Sequence, residues 1–538
     1  MSTPSPGQGG QQPCSTPGAA TRLRARSLAA LGGGLLVWLS FPDRNLHVAA
    51  IVGMALLGVA LWGVSVRAGA ALGLLAGWAM FLPTLHWSGI FVGSFPWIAL
   101  STLQALYVAG FGAVVALVQR PLIRTGRAVP AALVLPAAWV IQELLRGTTP
   151  FGGFPWARLA FGQADSHLAR LAHLGGAPLV SLAVVVLALP IVLVVVRRRL
   201  VDLVSVPVVL ALGALSFFAP LVAAPDGPTT EARVGLVQGN VPRTGLDFNA
   251  ERRKVLDNHV VGTEALAGED LDVVVWPENS SDIDPLRNPD AAAQVRRAVD
   301  AVGVPVVVGA ILDEPRPEVS NASLLYEPGE AAPTGRYVKQ HPVPFAEYVP
   351  YRDFFRLFSD KVDLVRVGFA KGPAPAAFEV EGRDSSFVVV PTICFEVAYD
   401  GLMREAVRLR PDSPSVLLVQ TNNATFGYTA ESTQQLAISR IRAIEHGRPV
   451  AHVSTVGVSA VISPDGRVSQ PTELFTAAQI VETVEATSGL TPSDRLGPWV
   501  EWMSGIALLL LVAAGRRGSR RARVVPSPTT DLETTARA

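Results

Sequence analysis

The chain has 538 residues, of which 49% are hydrophobic and only 17% charged, with a mean hydropathy of +0.36. That is too apolar for an ordinary soluble protein, and too long for one core, which stops growing at about 250 to 300 residues, so at least two units are expected. A net charge of +1 supplies no global basic field, which argues against a general nucleic-acid binder.

Residues 1–26 form a Gly/Pro/Ser/Gln-rich tail that reads as disordered and carries Cys14. Residues 27–224 read as a membrane domain of seven helices, because a span needs about 20 mainly apolar residues. The approximate cores are Leu28 to Phe41, Leu46 to Val64, Ala71 to Val92, Trp97 to Val118, Ala131 to Leu145, Ala177 to Val196 and Val204 to Val222, the first and fifth being short. An eighth, Trp499 to Ala514, precedes a basic tail over 515–538 that also reads as disordered.

Arginines orient the spans, since positively charged loops stay cytoplasmic. Arg22, Arg24 and Arg26, then Arg67, then Arg120, Arg124 and Arg127, then Arg197 to Arg199, and finally Arg516 to Arg523 all fall on one side. Arg44, Arg146, Arg158 and Arg170 fall on the other, but dispersed. Residues 225–498 are therefore expected outside the cytoplasm, and Cys14 inside, across the membrane from Cys394. The chain's two thiols cannot meet in one molecule, so no disulfide is expected.

The loop after the fifth span, "RGTTPFGGFPWARLAFGQADSHLARLAHLGG", is rich in Gly, Pro and aromatics and reads as an interfacial anchor in preference to a substrate contact. Glu143 and Arg146, at the end of that span, read equally as a functional pair or a snorkelling salt bridge.

Residues 225–498 change character. "ARVGLVQGN", "LDVVVWPE", "VPVVVGAIL", "SSFVVVPTICFE" and "SVLLVQTNN" are short Val-rich runs bounded by turn residues, hence buried strands, and helical stretches such as "ESTQQLAISRIRAIEHG" alternate with them. Alternation of this kind implies a layered α/β domain. Three of its loops carry ionisable residues where a buried strand ends, the usual place for an α/β active site. They are "WPENSS" with Glu278, "GRYVKQHPVPFAEYVP" with Lys339 and Glu347, and "PTICFE" with Cys394 and Glu396.

A carboxylate, an ammonium and a thiol have a joint chemical logic. A free thiol, with a pKa of about 8.5, is mostly protonated at neutral pH and needs a base. Glu278 suits that role, and Lys339 suits stabilisation of the thiolate and of a tetrahedral oxyanion. Taken singly, Cys394 reads as packing, Glu278 as a helix cap and Lys339 as a surface residue. Their joint occurrence, in the order Glu, Lys, Cys, favours a site. The eight histidines show no ligand spacing, and no phosphate loop occurs, so neither metal nor cofactor is expected.

"WPE", "YVKQHPVPFAEYVP", "ICFE", "TNNATFG" and "RIRAIEHGRP" resemble the nitrilase-like carbon–nitrogen hydrolase superfamily. With eight spans, seven before that domain and one after, the chain resembles its membrane-embedded family, the apolipoprotein N-acyltransferases. The resemblance implies an α-β-β-α sandwich and a triad of Glu278, Lys339 and Cys394, with Glu347 and Glu396 as supporting acidic residues. It further implies acyl transfer through a Cys394 thioester, from a membrane phospholipid to the N-terminal amine of a diacylglyceryl-apolipoprotein, at the outer face of the cytoplasmic membrane. The chain departs from the family at Phe395, where a tyrosine is common, at Thr425, where an aromatic is common, and over Gly245 to Phe248, where a tryptophan is common. A membrane-tethered amidase and a scaffold for a polyprenyl-phosphate glycosyltransferase are the alternatives. In "PFAEYVPYRDFFRLF", the aromatics Phe354, Phe355 and Phe358 read equally as core or as part of a lid.

Overall fold

The computed structural model describes residues 19–197, 227–241, 252–383 and 385–523, with isolated positions between 207 and 216. Cys14, most of the expected seventh span and Gly245 to Phe248 lie outside the described residues.

Six helices come first. They are α1 (Ala19–Leu39), α2 (His47–Leu61), α3 (Val66–Thr84), α4 (Ser94–Arg124), α5 (Ala128–Thr148) and α6 (Ala172–Arg197). Helix α1 begins ahead of its apolar core and takes Arg22, Arg24 and Arg26 into its first turns, since Ala, Leu and Arg all favour helix. Helix α5 outruns its apolar core at both ends, and Gln142, Glu143 and Arg146 on it are buried within the protein and not turned to lipid. Among the described residues, five helices are long and apolar enough to cross a membrane, and α2 is a shorter apolar one. Helices α3 and α4 pack closely through Gly69, Gly73 and Gly77, spaced one turn apart. A Cβ at Gly69 or Gly73 would run into the carbonyl of Gly112 or Val108, so small residues are required along this seam.

The second unit is built on two sheets. One runs β12 (Ala478–Thr487), β1 (Thr229–Gln238), β2 (Val273–Val275), β3 (Val306–Leu312), β4 (Ser320–Tyr326), β5 (Gly335–Val338). The other runs β6 (Phe378–Glu381), β7 (Ser386–Ile393), β8 (Ser415–Thr421), β9 (Val450–Ser454), β10 (Ala460–Ile462), β11 (Val468–Ser469). The Thr487–Ser415 pairing joins them. Val234, Leu236 and Val275 of the first meet Val389, Ile393 and Leu418 of the second in a buried core. Helices α7 (Arg252–Glu264) and α8 (Pro289–Val302) cover the outer face of the first sheet. The outer face of the second is covered by α10 (Asp400–Val407) and α11 (Glu431–His446), after the short α9 (Arg352–Arg356). The result is an α-β-β-α sandwich. Its α10–α11 layer shares one continuous apolar core with α2 to α6, so Ile438 and Ile441 belong to the same cluster as Phe81 and Val180. The chain then enters α12 (Pro492–Leu496) and α13 (Trp499–Arg523). Helix α13 continues beyond residue 514, into the stretch expected as a disordered tail, where arginine and alanine sustain it.

Candidate active site

Strand direction brings the three loops together. β2 and β3 are parallel, β4 is antiparallel to β3, and β5 is antiparallel to β4, so β2 and β5 end on the same edge. Glu278 follows β2 and Lys339 follows β5. Cys394 follows β7, which runs parallel to β8 in the facing sheet.

Each loop is held from behind. Gln420 on β8 donates to the Trp276 carbonyl at 2.6 Å, and Thr455 Oγ1 donates to the Glu278 carbonyl at 2.8 Å. Gly309 lies beneath this loop, where a Cβ would strike the Pro277 carbonyl. Cys394 itself takes φ of 56°, a left-handed conformation that non-glycine residues seldom adopt, and Asn279 beside Glu278 does the same. Behind the Cys394 turn, Arg442 is fully buried and donates to the carbonyls of Val397 at 2.7 Å and Ala398 at 2.8 Å.

Lys339 is the hub. Its ammonium lies 3.1 Å from Glu278 Oε1 and 2.9 Å from Glu347 Oε1, and Asn321 Nδ2 donates to the same two carboxylates at 2.7 and 3.3 Å. Lys339 and Glu278 are buried, at 1% and 4% exposure, whereas Cys394 remains partly accessible. Burial opposes the lysine charge, but the Glu278 and Glu347 carboxylates outweigh it and hold the ammonium well above its ordinary range. Burial raises the Glu278 carboxyl, and Glu347 adds to the rise against the pull of Lys339. Enclosure, then the Glu278 charge, push the Cys394 thiol up, against the pull of Lys339. The resting sulfur is therefore a neutral thiol beside a carboxylate of raised proton affinity, an arrangement suited to proton transfer as a bond to sulfur forms.

The two supporting carboxylates do different jobs. Glu347 touches Lys339 and also accepts from the Val343 N–H at 2.6 Å. Glu396 makes no direct contact with Lys339. It accepts from the N–H groups of Gln340 (2.6 Å), His341 (3.0 Å) and Ile393 (2.8 Å), and from the Tyr337 hydroxyl (2.8 Å). It therefore clamps the lysine loop to the cysteine turn.

The loop after α5 is not a membrane-surface anchor. Trp156 is 1% exposed, and its ring stacks on Phe395, with centroids 5.3 Å apart and planes within 5°. Phe154 stacks on Phe395 as well, and Tyr399 meets it edge-on. The ring at position 395 thus works as packing, which needs no hydroxyl. Arg158 pairs with Asp400, which Arg442 also holds at 2.7 Å. Glu143 and Arg146 build this loop instead of bridging to each other. Glu143 accepts from Trp139 and from the Leu159 N–H, and Arg146 donates to the carbonyls of Phe154 and Trp156.

The arm at 345–367 is not core. Phe354, Leu357 and Phe358 are 55%, 80% and 61% exposed. With Val92 to Pro96, where the chain enters α4, residues 356–361 line an open cavity of about 590 Å³. Asn321, Tyr337, Arg442, Gln435 and the Trp156 stack escape sequence reasoning, because each acts through a partner distant along the chain.

An α-β-β-α domain with Glu, Lys and Cys on strand-end loops of its two facing sheets is of the carbon–nitrogen hydrolase class, and the Carbon-nitrogen hydrolase family matches residues 233–488. The Apolipoprotein N-acyltransferase N-terminal domain matches residues 33–189. The apolipoprotein N-acyltransferase of Mycolicibacterium smegmatis is 38% identical over 520 residues, covering 90% of this chain and 84% of that protein. That of Photobacterium profundum is 30% identical over 517 residues, covering 93% and 96%. The chain belongs to the apolipoprotein N-acyltransferase family. Among solved structures it is similar to XC1258 from Xanthomonas campestris, a CN-hydrolase superfamily protein, with a TM-score of 0.35 and 21% identity over 47% of this chain and 90% of that one.

Proposed function

We propose that the protein transfers an acyl chain from a membrane phospholipid, through a thioester on Cys394, to the N-terminal amine of the diacylglyceryl-cysteine of an apolipoprotein. In the first step the Cys394 sulfur attacks the phospholipid ester carbonyl while Glu278 takes the thiol proton. The oxyanion forms within reach of Lys339. The C–O bond then breaks, and Glu278 returns the proton to the departing lysophospholipid alkoxide. In the second step the amine nitrogen attacks the thioester carbonyl and Glu278 takes a proton from it. The C–S bond breaks, leaving an amide, and the thiolate recovers its proton.

The observation that carries this reading is the buried Lys339 bridging Glu278 and Glu347 beside a partly accessible thiol. The exposed apolar arm at 345–367, close to the ends of apolar helices, supports a lipid as the donor in preference to a small soluble amide. Residues 27–224 and 499–514 are the membrane part, with 225–498 as the catalytic domain at the outer face of the cytoplasmic membrane, and residues 1–26 and 515–538 lie inside. Arginine placement supports that orientation.

The test is to express the chain with labelled phospholipid and look for a hydroxylamine-sensitive acyl group. Wild type is expected to carry it and Cys394→Ala to lack it. Equal labelling of the two, or none on wild type, overturns the thioester. Mass spectrometry of a lipoprotein N-terminus, with and without the protein, identifies the acceptor.

A further inference from the structure

One fully buried side chain of α11 reaches the sulfur itself. Gln435 is 0% exposed, and its Nε2 lies 3.8 Å from Cys394 Sγ. A glutamine amide has two faces, and which one meets the thiol is decided by its other partners. Gln435 Oε1 accepts from Thr421 Oγ1 and from Asn423 Nδ2, both at 2.9 Å. Asn423 is itself fixed, because its Nδ2 also donates to Glu431 Oε2 at 2.6 Å and its Oδ1 accepts from the Ser454 hydroxyl at 2.5 Å. Ser454 Oγ in turn accepts from the Gly457 N–H at 2.7 Å. Flipping the Gln435 amide would set its N–H groups against the fixed Asn423 donor, so its N–H is committed to the sulfur.

We infer that Gln435 is a positioning residue for the Cys394 nucleophile, its amide N–H aimed at the sulfur and locked there by Asn423, which Ser454 and Glu431 hold in turn. A neutral thiol is a weak acceptor, whereas a thiolate is a strong one, so this contact tightens as charge moves onto sulfur. It complements Lys339, adding an oriented dipole without a second cation. The inference rests on the role proposed for Cys394 above. The titratable groups that act on the sulfur are Glu278 after β2, Lys339 after β5 and Glu431 on α11.

The test is the pH profile of Cys394 alkylation by iodoacetamide, in the full chain in detergent, with Cys14→Ser as background and the modified site read by mass spectrometry. Gln435→Leu is expected to move the midpoint up by about one unit and slow alkylation near neutral pH about ten-fold. Gln435→His, which keeps an N–H, is expected to recover most of the rate. Gln435→Glu, which sets an acceptor against the sulfur, is expected to be slower than Gln435→Leu, and it serves should the leucine variant misfold. A folded Gln435→Leu or Gln435→Glu variant with the wild-type midpoint and rate overturns the inference. Glu278→Gln and Lys339→Met separate the two failures. If they shift the profile while the Gln435 variants do not, only this inference falls. If they leave it unmoved, the triad falls with it.

Discussion

Trp156, from the loop between α5 and α6, lies parallel to the ring of Phe395, the residue that follows Cys394. The cysteine turn is therefore packed from outside its own domain. Trp156 also donates its indole N–H to Gln434 Oε1 at 2.8 Å, and Gln434 adjoins Gln435 on α11. Trp156→Ala is expected to cost about 3 to 5 kcal/mol of stability, as large-to-small changes at buried aromatics do. It should also slow Cys394 acylation, whereas Trp156→Phe retains most of both. Thermal unfolding in detergent and the labelled-phospholipid assay measure the two effects.

Among the described residues, Lys339 is the lone cation in direct contact with Glu278 and Glu347. Lys339→Met leaves Glu278 buried beside Glu347 with no cation between them. The rate of thioester formation is expected to fall by at least about 10²-fold, the scale of losing one electrostatic donor. Lys339→Arg is expected not to rescue it, because a planar guanidinium does not fit a pocket shaped for a compact ammonium. Burst-phase labelling of wild type and both variants is the measurement.

Glu396 satisfies four donors at once, and none of them belongs to the triad. Glu396→Ala strands the three N–H groups and the Tyr337 hydroxyl, at about 1 to 3 kcal/mol for each left unpaired. The expected outcome is a clear drop in unfolding midpoint, with the acyl-enzyme lost because the loops drift apart. Glu396→Gln keeps one acceptor oxygen and should recover part of the midpoint.

Glu431 supplies the pH prediction. Burial raises its carboxyl from 4.5 to about 8, the Asn423 hydrogen bond opposes the rise, and the Glu278 charge adds to it. Between those two values the folded chain holds a proton that the unfolded chain has released. The stability linked to Glu431 is thus full below about pH 4.5 and is lost as pH rises through about 8. Glu431→Gln removes the titration, so its unfolding midpoint should fall less than wild type's between about pH 5 and about pH 8. Parallel curves for the two proteins would refute this.

The apolar segments and the Glu, Lys and Cys loops are legible in the sequence because each is local. A run of Val ending in "WPE" or "PTICFE" marks a buried strand meeting a loop, and strand direction does the rest. The role of Glu396 is less legible, since "ICFE" places a carboxylate near the thiol without revealing that it faces Gln340 and His341. The loop holding Trp156 misleads for a physical reason. Gly, Pro and aromatic residues suit a lipid headgroup layer and burial against another domain equally well, and only the tertiary contact with Phe395 decides. The same ambiguity covers Phe354 and Phe358, whose spacing is compatible with core yet whose rings stand exposed. Gln435 and Asn321 carry no sequence signal, because uncharged amides at buried positions matter only through their partners.

The Arg158–Asp400 pair joins residues 242 apart, with the membrane helices contributing one and the α/β domain the other. During synthesis the loop carrying Trp156 and Arg158 emerges long before Phe395 and Asp400 exist to cover it. The helical bundle therefore waits, incomplete, for a domain still to be made. That domain's cysteine turn, already tied by Glu396 and Arg442, gains the packing of Trp156 on Phe395 only when the two meet.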